Sequence, residues 1–120
     1  MTHMTKYENV ESYLADQSGE KATTLRQLIS FILSLDERLS AAISWNVPQI
    51  KLGSKYVFGM SAAKNHLTLA PWGDHILDNL RPQLADYVVN KGTFQVPMDW
   101  KVDEALIRTM VAQRLSDLET

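Results

Sequence analysis

The hydrophobic pattern of this chain changes period twice, and that restricts its fold more than any single residue does. Leu25, Leu28, Ile29 and Ile32 recur at the spacing of one helical face over about 20–34, with Arg26 and Gln27 turned outward. Over about 49–70 the period becomes two. Ile50 and Leu52 alternate with polar neighbours, Tyr56, Phe58 and Met60 oppose Val57, Gly59 and Ser61, and Asn65, Leu67 and Leu69 oppose His66, Thr68 and Ala70. Gly53-Ser54 has the composition of a two-residue turn, so the spacing predicts a three-strand antiparallel meander. The helical period then returns. Leu106, Ile107, Met110, Val111, Leu115 and Leu118 form one stripe behind a cap at Asp103. Helices before and after an antiparallel meander, without strict βαβ alternation, give a two-layer α+β domain with helices packed on one antiparallel sheet.

The shorter elements follow from local signals. Tyr7, Val10, Tyr13 and Leu14 share a helical face over about 6–16, capped by Thr5 with Glu8 completing a capping box. Gln17-Ser18-Gly19 breaks that run. Asp36 reads as the N-cap of a short helix holding Leu39, Ala42 and Ile43, ended by Pro48, which pushes Val47 toward an extended conformation. Pro71-Trp72-Gly73 closes the meander, and Asp74 caps a helix containing Ile76, Leu77 and Leu80 that Pro82 interrupts. Tyr87–Asn90 and Thr93–Val96 then add one or two short strands around Lys91-Gly92, where glycine supplies positive φ.

A chain of 120 residues makes one domain, 1–120, with enough length for a core without staples. The net charge of −2 leaves no polycationic footprint, so no nucleic-acid partner is expected. The lack of cysteine excludes disulfides, thiolate catalysis and zinc-thiolate sites, and it suits the cytosol. No signal-peptide core and no apolar window of about 20 residues is present, so no membrane partner is expected and a cytoplasmic location is. Phosphate-loop, dinucleotide and Gly-x-Ser-x-Gly patterns are all missing, and nothing points to an enzyme.

The polar residues left to carry function fall into two sets. Trp45 and Asn46 precede Pro48, Lys64 and His66 start a strand, and Lys91 sits in a turn. Together they read as a ligand-binding set, with Tyr56 or Phe58 as an apolar wall. An indole, an amide, an imidazole and two ammonium groups suit an anionic or carboxylate ligand. Asp74, His75 and Asp78 read as the metal set, because spacings of three and four place pairs of them on one helical face. The structural alternatives are a helix-ending Asn46, a core Trp45, a solvated Lys64 and Lys91, and Asp74 as a simple N-cap. A homodimer would use the sheet edge or the aromatic surface; Trp72 and Trp100, both in loops, are candidate anchors for it or close the ends of the core.

The landmarks Leu25-Arg-Gln-Leu-Ile29, Ile43-Ser-Trp-Asn-Val-Pro48, Lys64-Asn-His66, Lys91-Gly-Thr93 and Leu106-Ile107 resemble those of the YdhG-like family, DUF1801, over about Tyr13 to Leu115. The resemblance implies an α+β fold with helices over an antiparallel sheet. It also implies a small non-enzymatic binding protein. One branch of the family resembles a frataxin-like iron chaperone, so Fe²⁺ as cargo and an iron-accepting protein as partner are further implications. The chain departs from the family where glutamate usually precedes Ile43 (Ser40-Ala41-Ala42 here) and where arginine usually follows the Lys-Gly-Thr turn (Gln95 here). The alternative reading is a metal-free module that binds a small ligand or a protein around Trp45, Lys64 and His66.

Overall fold

The computed structural model describes residues 6–119. Its elements are α1 (Val10–Ala15), α2 (Gly19–Ser34), β1 (Leu39–Ser44), β2 (Val47–Leu52), β3 (Lys55–Ala62), β4 (Leu67–Pro71), α3 (Ile76–Asn79), a 3₁₀ turn (Arg81–Leu84), β5 (Val88–Val89), β6 (Phe94–Val96) and α4 (Glu104–Glu119). The strands form one sheet in the order β1-β2-β3-β4-β6-β5, and every pairing is antiparallel.

The helices share one face of this sheet. Ile50, Phe58, Met60, Leu67, Leu69, Phe94 and Val96 are buried there with Leu25, Leu28 and Ile32 of α2 and Ile107, Met110 and Val111 of α4. Their neighbours along the strands, including Ser61, Thr68, Ala70 and Gln95, face the other way and stay partly exposed. The period-two reading of 49–70 describes a sheet with one covered face and one open face, except that Tyr56, expected beside Phe58 and Met60, turns to the open face because the register slips between Ile50 and Lys51. The fold is the expected two-layer α+β arrangement.

Two expected helix features change. The helix over about 6–16 shortens to α1, and its cap is Asn9, whose Oδ1 accepts from the Ser12 N–H at 2.8 Å while Ser12 Oγ accepts from the Asn9 N–H at 3.2 Å. The expected cap, Thr5, lies outside the described residues. The N-cap position of α3 is His75, with no side-chain cap hydrogen bond, so Asp74 does not serve as the cap. Asp103 does cap α4, accepting from the Leu106 N–H at 3.1 Å.

The larger correction concerns 36–48. The segment expected as a short helix is β1, and the meander has four strands rather than three. Leu39, Ala42 and Ile43 fit helical spacing, but Ala41 and Ile43 also alternate with Ser40, Ala42 and Ser44. Six residues are too few for period alone to choose, and pairing with β2 along their whole length decides. Asp36 is not a helix cap. Its Oδ1 accepts from the Arg38 N–H at 2.9 Å, a side-chain-to-backbone turn that leads into the strand. Pro48 ends nothing. It sits in β2 opposite Ile43, before the ladder with β3 begins at Gln49.

The β1–β2 turn is Trp45-Asn46, with φ of 53° and 63°. Left-handed values at both central residues make this the hairpin turn whose twist matches that of the flanking strands. Asn tolerates that conformation; for Trp it costs on the order of 1–2 kcal/mol. Between β2 and β3 the register slips, so that Ile50 faces Phe58 while Lys51 faces Tyr56. Val57 is the extra residue of a bulge, and a bulge increases local twist.

Candidate functional site

The open face of the sheet has its own small apolar centre, built around Gln49. Gln49 is only 5% exposed although it lies outside the main core. It fits because its strand partner is Gly59; a Cβ there would lie 2.6 Å from Gln49 Oε1. The same Oε1 accepts from the Trp72 indole N–H at 3.0 Å. A buried amide needs its partners, so this bond fixes both the amide and the indole ring.

Trp72 is held in place by chain direction as well. It follows Pro71 at the end of β4, and its N–H donates to the Val57 carbonyl at the bulge, at 3.2 Å. From there its ring centre lies 5.1 Å from Tyr56 and 5.7 Å from Trp45, and Trp45 lies 4.9 Å from Tyr56. Three rings are thus mutual neighbours. The Tyr56 hydroxyl donates to Ser44 Oγ at 3.1 Å, and the Lys51 ammonium lies 5.1 Å from the Tyr56 ring centre. Trp45 remains 67% exposed in this cluster.

Trp72 also walls a hollow at the edge of the open face. One cavity of about 480 Å³ is lined by Ala70, Pro71, Trp72, Gly73, Asp74, Lys91 and Gly92. A second, about 430 Å³, shares Gly73, Asp74, Lys91 and Gly92 and continues along Leu77, Asp78 and Arg81. Such volumes fit a small organic molecule. Gly73 has a φ of 119°, and a Cβ there would lie 2.8 Å from Ile76 Cδ1, so the sharp entry to α3 requires glycine. Among the described residues neither Asp74 nor Lys91 makes a side-chain hydrogen bond or ion pair, whereas Asp78 is bridged by Arg81 at 3.1 Å. The hollow therefore has an apolar floor and one uncommitted charge of each sign. A wider depression of about 600 Å³ lies between α2 and the start of α4. Its Arg26 is engaged by Glu11 at 2.6 Å, and its Phe31 is covered by Arg108, so it is the weaker site.

The residues singled out from the sequence do not all meet. Trp45 and Asn46 are turn residues, not the end of a helix, and Asn46 Oδ1 accepts from the Tyr7 N–H at 2.8 Å. Lys64 and His66 lie in the β3–β4 turn. Because Leu67 pairs with Val96 and Leu69 with Phe94, His66 is beyond one end of the β4–β6 ladder and Lys91 beyond the other. Lys91 joins Trp72 and Asp74 instead. The Asp74, His75 and Asp78 trio also divides. The two aspartates border the hollow, while His75 Nε2 is 3.2 Å from Asp117 of α4. Among the described residues, no three His, Asp or Glu side chains are grouped to hold a metal ion. Phe58 is fully buried and cannot wall a pocket, whereas Tyr56 does belong to the open-face cluster. Trp100 closes the core, 8% exposed, with its N–H on the Tyr87 hydroxyl at 3.0 Å. Gln49 and Lys51 were not anticipated. The signal that points to Gln49 is its register opposite a glycine, which pairing alone reveals.

The comparisons with known proteins agree with this architecture. A crystal structure of a DUF1801 protein, YdhG from Bacillus subtilis, matches with a TM-score of 0.83 over 91% of this chain and 90% of that one, at 20% identity. The chain has the DUF1801 fold. An uncharacterised conserved protein from Lactobacillus casei matches with a TM-score of 0.56, at 16% identity, over 91% of each chain. No family model matches the sequence, and no curated protein does. At these identities the DUF1801 likeness speaks for the fold, which the landmarks in the sequence had implied. Among the described residues no helix is long and apolar enough to cross a membrane.

Proposed function

We propose that this chain is a non-enzymatic binding module whose ligand is a small organic molecule with a flat apolar body and ionic substituents. The ligand lies on Trp72 in the hollow, with Asp74 and Lys91 as its charged contacts and Trp45 and Tyr56 extending the aromatic surface. The observation that carries this reading is Trp45. A tryptophan in a left-handed turn position, 67% exposed, is costly twice over, in backbone conformation and in exposed apolar area. Glycine or asparagine would make the same turn more cheaply, and strain of this kind clusters at functional sites. A cytosolic setting belongs to the same proposal.

The direct test is a thermal-shift screen of aromatic and heteroaromatic acids and amines, followed by calorimetry of hits on the wild type, Trp72→Ala and Lys91→Ala. Binding should fall about tenfold or more in each variant, the loss of roughly 1.4 kcal/mol expected when a stacking or charged contact goes. Hits that bind all three proteins equally would remove the site, and a screen without hits would remove the ligand class.

Iron carriage is the second reading. Asp74 and Asp78 border one cavity, and carboxylates accept Fe²⁺. With His75 turned to Asp117, binding there would be weak and labile. Anaerobic Fe²⁺ calorimetry with a Mg²⁺ control tests it. Saturable heat lost in Asp74→Asn supports iron as cargo, and heat indistinguishable from Mg²⁺ removes it.

A further inference from the structure

The sheet ends in two edges of different character. The β5 edge is two residues long, Val88–Val89, and a short edge strand is one way to discourage pairing with another chain. The β1 edge is six residues, Leu-Ser-Ala-Ala-Ile-Ser, with no charged residue, no proline and no bulge. Among the described residues this strand therefore lacks the guards that charge, proline or a bulge would supply.

Pro48 reveals which backbone groups that edge offers. Ile43 faces Pro48, and proline has no N–H, so this cannot be a pair that exchanges both hydrogen bonds. The alternation of an antiparallel ladder then makes Ser44–Val47, Ala42–Gln49 and Ser40–Lys51 the hydrogen-bonded pairs. The N–H and C=O of Ala41 and Ile43 therefore point away from β2, into the open edge. Among the described residues neither finds a hydrogen-bond partner there, whereas the Leu39 N–H is bonded to the Asp36 carbonyl at 3.1 Å.

We propose that β1 pairs antiparallel with β1 of a second copy, about a two-fold axis through Ala42, joining two sheets into one. Any strand added here must present apolar side chains toward the helices and small ones on the open face. β1 meets that demand itself. Ala41 and Ile43 pack against the core, and Ser40, Ala42 and Ser44 alternate with them. An axis perpendicular to the sheet keeps like faces together. Centred on Ala42, it pairs Ala41 with the partner's Ile43 on both sides of the axis, using the unbonded groups and leaving Leu39 as it is. Ser40 then faces the partner's Ser44, and no like charges oppose each other.

The chain has no cysteine, so Ala42→Cys introduces a single thiol. At the axis the two thiol-bearing residues form a non-hydrogen-bonded pair with Cα atoms about 4.5 Å apart, within disulfide reach. In oxidising buffer Ala42→Cys should form a covalent dimer about tenfold faster or more than Ala41→Cys, whose registered neighbour is not a thiol. Wild-type sedimentation should move from monomer to dimer across the micromolar range. Equal cross-linking rates, or a wild type that stays monomeric, would overturn the proposal. Hydrogen exchange on the wild type keeps the test decisive if a variant misfolds. The Ala41 and Ile43 amides should exchange more slowly as concentration rises, and rates independent of concentration would overturn it equally.

Discussion

The covered face and the open face of the sheet come from the same strands but obey different rules. On the covered face, Ile50, Phe58, Leu67, Leu69 and Phe94 are each 0% exposed, and helices α2 and α4 supply the matching surface. On the open face the cluster is centred on polar Gln49, which is deeply buried, and the aromatic rings around it are half-buried or exposed. Folding of this chain is driven by the first face. The second face adds little burial, yet it holds a strained tryptophan, a fixed indole and a hollow with charges at its rim. A protein under pressure for stability alone has no reason to build it.

That contrast is open to direct attack, most severely at Phe58. Phe58→Ala on the covered face should cost about 3–5 kcal/mol in urea unfolding, through lost burial plus a cavity. A loss below about 1 kcal/mol would mean that the sheet-to-helix core is not the main source of stability. Gly59→Ala tests the open face from the backbone. The new methyl must displace Gln49, breaking its bond to Trp72, and about 1–3 kcal/mol should be lost with a change in tryptophan emission. Unchanged emission would show that Gln49 does not hold the indole.

Trp45→Gly should have a smaller effect on stability and a large one on binding. Relief of the left-handed strain offsets the lost ring contacts, so stability should stay within about 1 kcal/mol of the wild type. Affinity for any ligand found by the screen should fall. A destabilisation comparable with that of Phe58→Ala would make Trp45 a core residue and erase the distinction between the faces. The smallest effect belongs to neither face. Beside the start of β1, hydrogen bonds from the Arg38 side chain, then from its backbone N–H, hold the Asp36 carboxyl down at about 2. A lowered carboxyl stabilises the fold above its ordinary value of about 4 and ceases to do so as pH falls through about 2. Arg38→Ala should therefore lose stability slightly at neutral pH and show a shallower decline between pH 4 and pH 2 in acid unfolding.

Much of the fold was legible because each long segment had one period. Leu25 to Ile32 and Leu106 to Val111 could only be amphipathic helices, and Tyr56 to Met60 could only be a strand. β1 was misread because six residues satisfy both periods and a preceding aspartate imitates a cap. The site was legible in part. Trp45, Tyr56, Trp72, Asp74 and Lys91 all drew notice in the sequence, but in three separate roles. Grouping them required register, and no local signal carries register across strands far apart in the chain.

The sequence by itself determined the two long helices and the strands between them, though not β1, because these depend on residue type and on short-range spacing sustained over enough residues. Only the tertiary structure decided that Trp45, Tyr56 and Trp72 meet, that Lys91 sits with Asp74 rather than with His66, and that the backbone groups of Ala41 and Ile43 are left at an open edge. Those outcomes depend on which strands pair and in what register, a choice made by burying one whole face of the sheet at once.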